Sequence, residues 1–164
     1  MHRVAAATDQ DSALPALRCA VVVRVREDGC DLMRAGQRSA AGFARAFPAP
    51  RAARVSPGHL VALASGADGR QLIVWRWYDA VVVAAADGLI ELWEPAHGEV
   101  TARARYGEQR WDPGTRAYLS AGLPGAAWWV EGPAVAAETA ATAEVELDEV
   151  ARFCAEHGIW PEAG

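Results

Sequence analysis

The chain has 164 residues and a mass of 17.4 kDa, which suits one ordinary domain with a buried core. Hydrophobic residues make up 52% and charged residues 23%, a balance that excludes intrinsic disorder, and no apolar run reaches the roughly 18 residues of a membrane-spanning helix. The net charge of −5 argues against a dedicated duplex-binding protein, because such domains are strongly basic.

The first 16 residues are small and polar, which predicts a flexible arm at 1–16. A β-hairpin follows, with strands at Cys19–Arg26 and Cys30–Ala35 around Asp28-Gly29, a turn pair whose glycine is expected to supply positive φ. Residues 36–54 leave a short helix and an irregular strand as alternatives, because the spacing of two phenylalanines suits a helix and two prolines would end it.

The middle of the chain predicts a series of short strands joined by glycine turns. They lie at His59–Ala64, Gln71–Ala84, Leu89–Glu94, Glu99–Arg105, Thr115–Ser120 and Ala126–Val130. The strand from Gln71 is long and almost wholly apolar, so both of its faces must be covered, or it must bend through a barrel wall. Counting back from the Asp87-Gly88 turn pairs Val82 with Trp93.

Part of this series is repeated within the chain. Residues 54–74 and 110–130 share seven residue types at a shift of 56 positions, which predicts two related hairpins. Shared turn chemistry is the alternative explanation, because most of the matches are proline, glycine or leucine. The matched residues are Arg54, Pro57, Gly58, Leu63, Gly66, Gly69 and Val74, which recur as Arg110, Pro113, Gly114, Leu119, Gly122, Gly125 and Val130.

The C-terminal part differs from the rest of the chain in amino-acid composition. Residues 136–147 are rich in alanine, threonine and glutamate and predict a linker, after which residues 148–158 predict a helix. Asp148 suits its N-cap and Gly158 the left-handed residue after its end. The expected fold is mainly β, a small barrel or rolled antiparallel sheet over residues 17–135 with this one C-terminal α-helix packed on it.

Composition indicates the setting of the protein. All 16 basic residues are arginine, which is typical of a GC-rich genome, and the N-terminus lacks the leucine-rich centre of a secretory signal. We therefore expect a cytoplasmic protein, or one within a particle assembled in the cytoplasm. Cys19, Cys30 and Cys154 have no CxxC spacing and predict buried free thiols, so neither a metal nor another cofactor is expected.

A stretch of about 40 residues resembles a known class of small barrels. Pro57-Gly58-His59-Leu60-Val61, then Val74–Val83 and then Gly88–Leu92 resemble SH3-like and Tudor-like barrels, where a turn-plus-strand motif precedes a strand bearing Trp-Tyr. The resemblance implies a five-stranded binding barrel, and in Tudor relatives an aromatic cage for methylated arginine or lysine, of which Trp77 and Tyr78 match the aromatic strand. An OB-type barrel over Val21–Val83 is the alternative.

Aromatic and arginine side chains are the candidate binding residues. The aromatic set could be a stacking platform or barrel core, and the adjacent Trp128 and Trp129 must face opposite ways, which favours a protein contact surface. Arginines could form a basic strip for single-stranded nucleic acid, or pair with nearby carboxylates. The candidates are Trp75, Trp77, Tyr78, Trp93, Trp128, Trp129, Arg103 and Arg105.

The sequence contains few candidate catalytic residues. Nucleophile, phosphate-loop, dinucleotide and zinc-protease motifs are absent from the sequence, which disfavours an enzyme. Asp79, within an apolar strand, and His97, in a loop, are the alternative acid or base for a small-barrel enzyme acting on a hydrophobic molecule.

The hypothesis that accounts for most of these features is a non-enzymatic interaction or structural subunit of a larger assembly. It would bind a protein partner or form a homo-oligomer, away from membranes, and a virion head–tail or tail component is one setting. A nucleic-acid-binding barrel that uses the arginines of residues 34–54 or 103–116 is the second hypothesis, and the small-barrel enzyme is the third.

Overall fold

A computed structural model describes residues 16–45, 47, 55–105, 109–121 and 127–159, so the predicted arm, except for Ala16, lies outside the described residues. Those residues form nine strands, one 3₁₀ helix, Ala137–Thr142, and one α-helix, α1, Leu147–Glu156. None of these helices is long and apolar enough to cross a membrane. The strands are β1 Arg18–Val25, β2 Gly29–Arg34, β3 Gln37–Phe43, β4 Leu60–Ser65, β5 Gln71–Ala86, β6 Leu89–Glu94, β7 Gly98–Ala104, β8 Arg116–Ala121 and β9 Trp128–Pro133.

The long strand β5 belongs to two closed rings of five strands. Its first half, residues 71–77, closes the first barrel with β1 to β4, through a parallel pairing with β3. Its second half, residues 78–86, forms the second barrel with β6 to β9, which a parallel pairing of β7 with β9 closes. In each barrel the first four strands follow Greek-key order, β3-β2-β1-β4 and β7-β6-β5-β8.

The two barrels have the same strand register. Val21 pairs with Leu60 in the first barrel, and Val81 pairs with Arg116 in the second, 60 and 56 positions later. The β4–β5 ladder has an irregularity after Ala62, and the β8–β9 ladder has one after Tyr118, again 56 positions later. The predicted hairpin repeat thus falls on strands in equivalent positions, but its last match is one residue out, because the ladders make Val130 equivalent to Ile73 and not to Val74. Common ancestry of the two barrels stays a prediction.

A second irregularity corrects the expected register beside Trp93. The β1–β2 and β5–β6 ladders are interrupted after Val22 and after Val82, at equivalent positions of the two barrels. The bulge shifts the ladder by one residue, so Val81, and not Val82, faces Trp93. The prediction that Val82 pairs with Trp93 is therefore wrong.

The first hairpin forms as predicted, but its glycine serves another purpose. Asp87 and Gly88 have φ of 54° and 79°, as a two-residue hairpin turn requires, whereas Gly29 is not among the residues with positive φ. A Cβ at Gly29 would overlap the backbone carbonyl of Ala41 on β3. Glycine is needed there for close strand approach.

Three apolar clusters build the core. Two fill the interiors of the barrels, and the third lies between the outer face of the first barrel and the C-terminal segment. Within the range predicted as a linker, the 3₁₀ helix lies against β1 and β2 and buries Ala140 completely. In α1, Val150, Ala151 and Cys154 are buried in the same cluster.

The mainly β fold class with a C-terminal helix is confirmed, with one change at the N-terminus of the helix. Helix α1 begins at Leu147, and Asp148 lies in its first turn rather than at the N-cap, where Glu146 makes no side-chain cap hydrogen bond. Gly158 has φ of 67°, and the Ile159 N–H donates to the Cys154 carbonyl at 2.7 Å, as a helix ending at a left-handed residue requires.

Candidate functional site

Four large apolar side chains are exposed together on the outside of the second barrel. Val81 and Val83 on β5 and Leu89 and Trp93 on β6 are 39%, 53%, 43% and 48% exposed. Val81 and Trp93 are direct cross-strand partners. We call these four residues the Trp93 face. Only one other large hydrophobic residue in the described part of the chain, Val25, is exposed.

The equivalent face of the first barrel is covered by the chain itself. Val21 and Met33 are cross-strand partners there, 60 positions before Val81 and Trp93. Val21 is 5% exposed, because it belongs to the cluster that Ala140 of the 3₁₀ helix and the buried side of α1 complete. The same sheet face is therefore covered on one barrel and open on the other.

Charged side chains of both signs border the Trp93 face. On β7, Glu99 pairs with Trp93 and Arg103 pairs with Leu89, with Thr101 between them, and all three are exposed. Among the residues that the structure describes, neither Glu99 nor Arg103 forms an ion pair. Glu91, between Leu89 and Trp93 on β6 and opposite Thr101, is also exposed and forms no ion pair among the described residues. The face therefore has a carboxylate at its centre, besides the carboxylate and the guanidinium at opposite ends of β7.

The structure separates the aromatic residues that were candidates for a single platform. Trp75 and Trp77 are buried in the outer cluster of the first barrel, where Trp75 contacts Phe153 of α1 edge-on at 5.1 Å. Tyr78 points into the second barrel. Of the four, Trp93 alone is open to solvent, so these residues do not form one stacking surface.

Trp128 and His97 belong to a packed cluster around Tyr78. The Trp128 and His97 rings both contact the Tyr78 ring edge-on, at 5.5 and 5.0 Å. Glu94, 1% exposed, holds this arrangement, because its Oε2 accepts from the backbone N–H groups of Ala96 and His97 and lies 2.7 Å from His97 Nδ1. His97 is thus held in place by its contacts with Glu94.

A second histidine packs against Tyr78 from the other side. His59 is buried, its ring meets the Tyr78 ring at 5.4 Å, and its Nδ1 accepts from the Ser56 N–H at 3.2 Å. The Arg76 guanidinium lies over the Tyr78 ring at 4.1 Å. Burial, with the charge of Arg76, lowers the pKa of His59 from 6.5 to about 4, so this imidazole is neutral at pH 7.

Asp79 is bound to an arginine on the neighbouring strand. Both of its carboxylate oxygens accept from Arg116 of β8, and its side chain remains 20% exposed. Arg76, on the same strand, has its guanidinium over the Tyr78 ring. Neither Asp79 nor His97 lines any of three open cavities, of about 490, 630 and 660 Å³, formed by described residues. Asp79 is paired with Arg116 and His97 with Glu94, so each side chain has a structural partner.

The two arginines of the predicted basic strip also have different surroundings. Arg105 donates to both carboxylate oxygens of Glu131, at 2.6 and 2.8 Å, and to Glu149 of α1 at 3.0 Å, with the Trp129 ring 5.3 Å away. This network ties β7, β9 and α1 together. Arg103 is exposed and remains accessible to a partner.

The sequence analysis identifies Trp93 but misses Val81, Val83 and Leu89. Counting outward from the Asp87-Gly88 turn does not reveal the two valines, because the bulge after Val82 shifts Val81 to the position opposite Trp93. No family model matches this chain, and no curated protein matches it either. The SH3-like resemblance and the OB-type alternative accordingly stay predictions.

Proposed function

We propose that this protein is a non-enzymatic interaction subunit that docks through its Trp93 face onto a second copy of itself. The observation that carries the proposal is the concentration on this one face of four of the five exposed large hydrophobics among the described residues. Contiguous exposed apolar surface rimmed by polar residues marks interaction sites, and tryptophan is enriched in the centres of interfaces.

The border charges favour a second copy as the partner. A two-fold axis near Thr101 would bring Glu99 of each copy to Arg103 of the other, because the two residues lie at equal distances on either side of Thr101 along β7. Such a self-complementary arrangement is what a symmetric dimer requires. A larger assembly built from such dimers, including the predicted virion head–tail or tail component, fits the same surface.

Charge reversal tests this arrangement directly. Sedimentation velocity on the full chain should show a dimer that Arg103→Glu weakens about tenfold or more, since like charges would then meet across the axis. The double variant Glu99→Arg with Arg103→Glu should restore association, because the border is again self-complementary. Arg38→Glu, at an exposed arginine on β3 of the first barrel, serves as the matched control.

Two results would contradict the proposal. One is a wild-type chain that stays monomeric at every concentration. The other is a double variant that associates no better than Arg103→Glu alone, which would show that these border charges do not meet across an axis.

A further inference from the structure

A groove on the first barrel gathers arginines from three separate elements. A cavity of about 490 Å³ is lined by Arg26 from the β1–β2 turn, Arg45 from the segment after β3 and Arg70 from the β4–β5 turn. A second cavity, of about 660 Å³, adjoins it and shares Arg26, Phe43 and Arg45. We call the two cavities together the arginine groove.

The guanidinium groups of the groove are available to an anion. Within the described part of the chain, Arg45 forms no ion pair. Arg26 pairs with Asp31 at 3.2 Å and Arg70 with Asp68 at 3.3 Å, but these arginine side chains are 40% and 65% exposed. Exposed pairs of this kind contribute little, so a phosphate can replace the carboxylate at low cost.

Aromatic rings lie beside these charges. Phe43 and Phe47 contact each other with centroids 5.2 Å apart, and both line the second cavity next to Arg45. Phosphate-binding cations alternating with aromatic rings are the combination with which proteins hold single-stranded nucleic acid, because every base has a face that can stack. Asp28 lines the first cavity and Glu27 the second, so the groove holds three guanidiniums and two carboxylates.

Two described positions of the groove differ in the second barrel. Phe43 and Ala104 occupy the same place in the two parallel ladders, and Arg26 corresponds to Ala86. The cavity at this end of the second barrel contains Arg110, which Asp112 holds at 2.8 Å. Two barrels with the same register thus differ where a ligand would contact them.

We infer that the arginine groove binds single-stranded nucleic acid, with its phosphates on Arg26, Arg45 and Arg70 and a base on the Phe43–Phe47 pair. The site is separate from the Trp93 face and does not depend on self-association.

Fluorescence anisotropy with labelled 15-nucleotide oligo(dT) and oligo(U), and a duplex of the same length, tests the inference on the full chain. We expect one or both single strands to bind more tightly than the duplex, with log K falling by about 2 per decade of salt, as three phosphate contacts on a single strand imply. Arg45→Gln should weaken binding and reduce that slope by about 0.7.

Phe43→Ala should weaken binding about tenfold or more and leave the slope unchanged, because it removes stacking and no charge. Arg152→Gln, at an exposed arginine on α1, is the matched control and should bind as the wild type does. The inference is overturned if neither single strand binds at low salt, if the duplex binds equally well, or if Arg45→Gln and Arg152→Gln have the same effect. Val81→Arg should leave binding intact, which separates this test from that of the Trp93 face.

Discussion

Val21 and Val81 occupy the same position in the two barrels, yet one side chain is 5% exposed and the other 39%. The difference comes from the C-terminal segment, which covers the first barrel and leaves the second open. The same sheet face is therefore buried by the chain itself on the first barrel and open to solvent on the second.

Ala140 offers the most direct test of the covering contact. Ala140→Arg should lower the free energy of unfolding by about 2–4 kcal/mol, because a long charged side chain cannot fit between the 3₁₀ helix and the first barrel. Ala141→Arg, at the exposed neighbouring position, should change it by less than about 0.5 kcal/mol. Urea denaturation would measure both, and equal losses would show that the segment is not packed against the barrel.

His59 predicts a loss of stability in mild acid. Its pKa is about 4 in the folded chain, against 6.5 for an unperturbed imidazole in the unfolded chain. Between these values the unfolded chain binds more protons, so stability falls as the pH falls. The contribution is complete above pH 6.5, and its loss by pH 4 is on the order of 3 kcal/mol. Urea denaturation from pH 7.5 to 4 should show this decline in the wild type, and a smaller one in His59→Gln.

The hairpins of this fold are readable from the sequence, whereas the closure of the barrels is not. Turn pairs such as Asp87-Gly88 and runs such as Leu89–Glu94 are local signals, and the structure has those strands where they were predicted. The parallel pairings of β3 with β5 and of β7 with β9 join residues far apart in the chain. Nothing in the local pattern shows that β5 serves two rings.

The candidate site was only partly predictable for the same reason. Trp93 stands out by its residue type, but its exposure depends on what the C-terminal segment covers, which is a tertiary property. Trp75 has the same residue type and is buried by Phe153 of α1, nearly 80 positions later. The bulge after Val82 also leaves no clear trace in an alanine- and valine-rich strand.

Gly132 should not tolerate a methyl group. A Cβ there would lie 2.6 Å from the backbone carbonyl oxygen of Glu144, so Gly132→Ala must displace the segment that leads into α1. We expect a fall in the unfolding free energy of about 2 kcal/mol or more. Gly42→Ala is the matched control, since a Cβ there meets its nearest neighbours at 3.5 Å and fits. Thermal denaturation would give the melting temperature of each variant, and equal melting temperatures would contradict this packing.

The three cysteines should be unreactive in the folded protein. Burial raises the pKa of Cys19 and Cys154 to about 12 and that of Cys30 to about 11, so very little thiolate is present at pH 8. Ellman's reagent should react with all three thiols in urea. In buffer without urea, the rate of reaction should be limited by the rate at which the protein unfolds around each thiol. Rapid reaction of one thiol in buffer would show that its site is open.

Sedimentation of Val81→Arg beside Val25→Arg tests whether the Trp93 face associates with a second copy. The two valines are 39% and 40% exposed, but Val25 lies on the first barrel, away from the Trp93 face. We expect wild type and Val25→Arg to reach twice the 17.4 kDa chain mass as concentration rises, while Val81→Arg stays at the chain mass. Identical behaviour of the two variants would contradict this expectation.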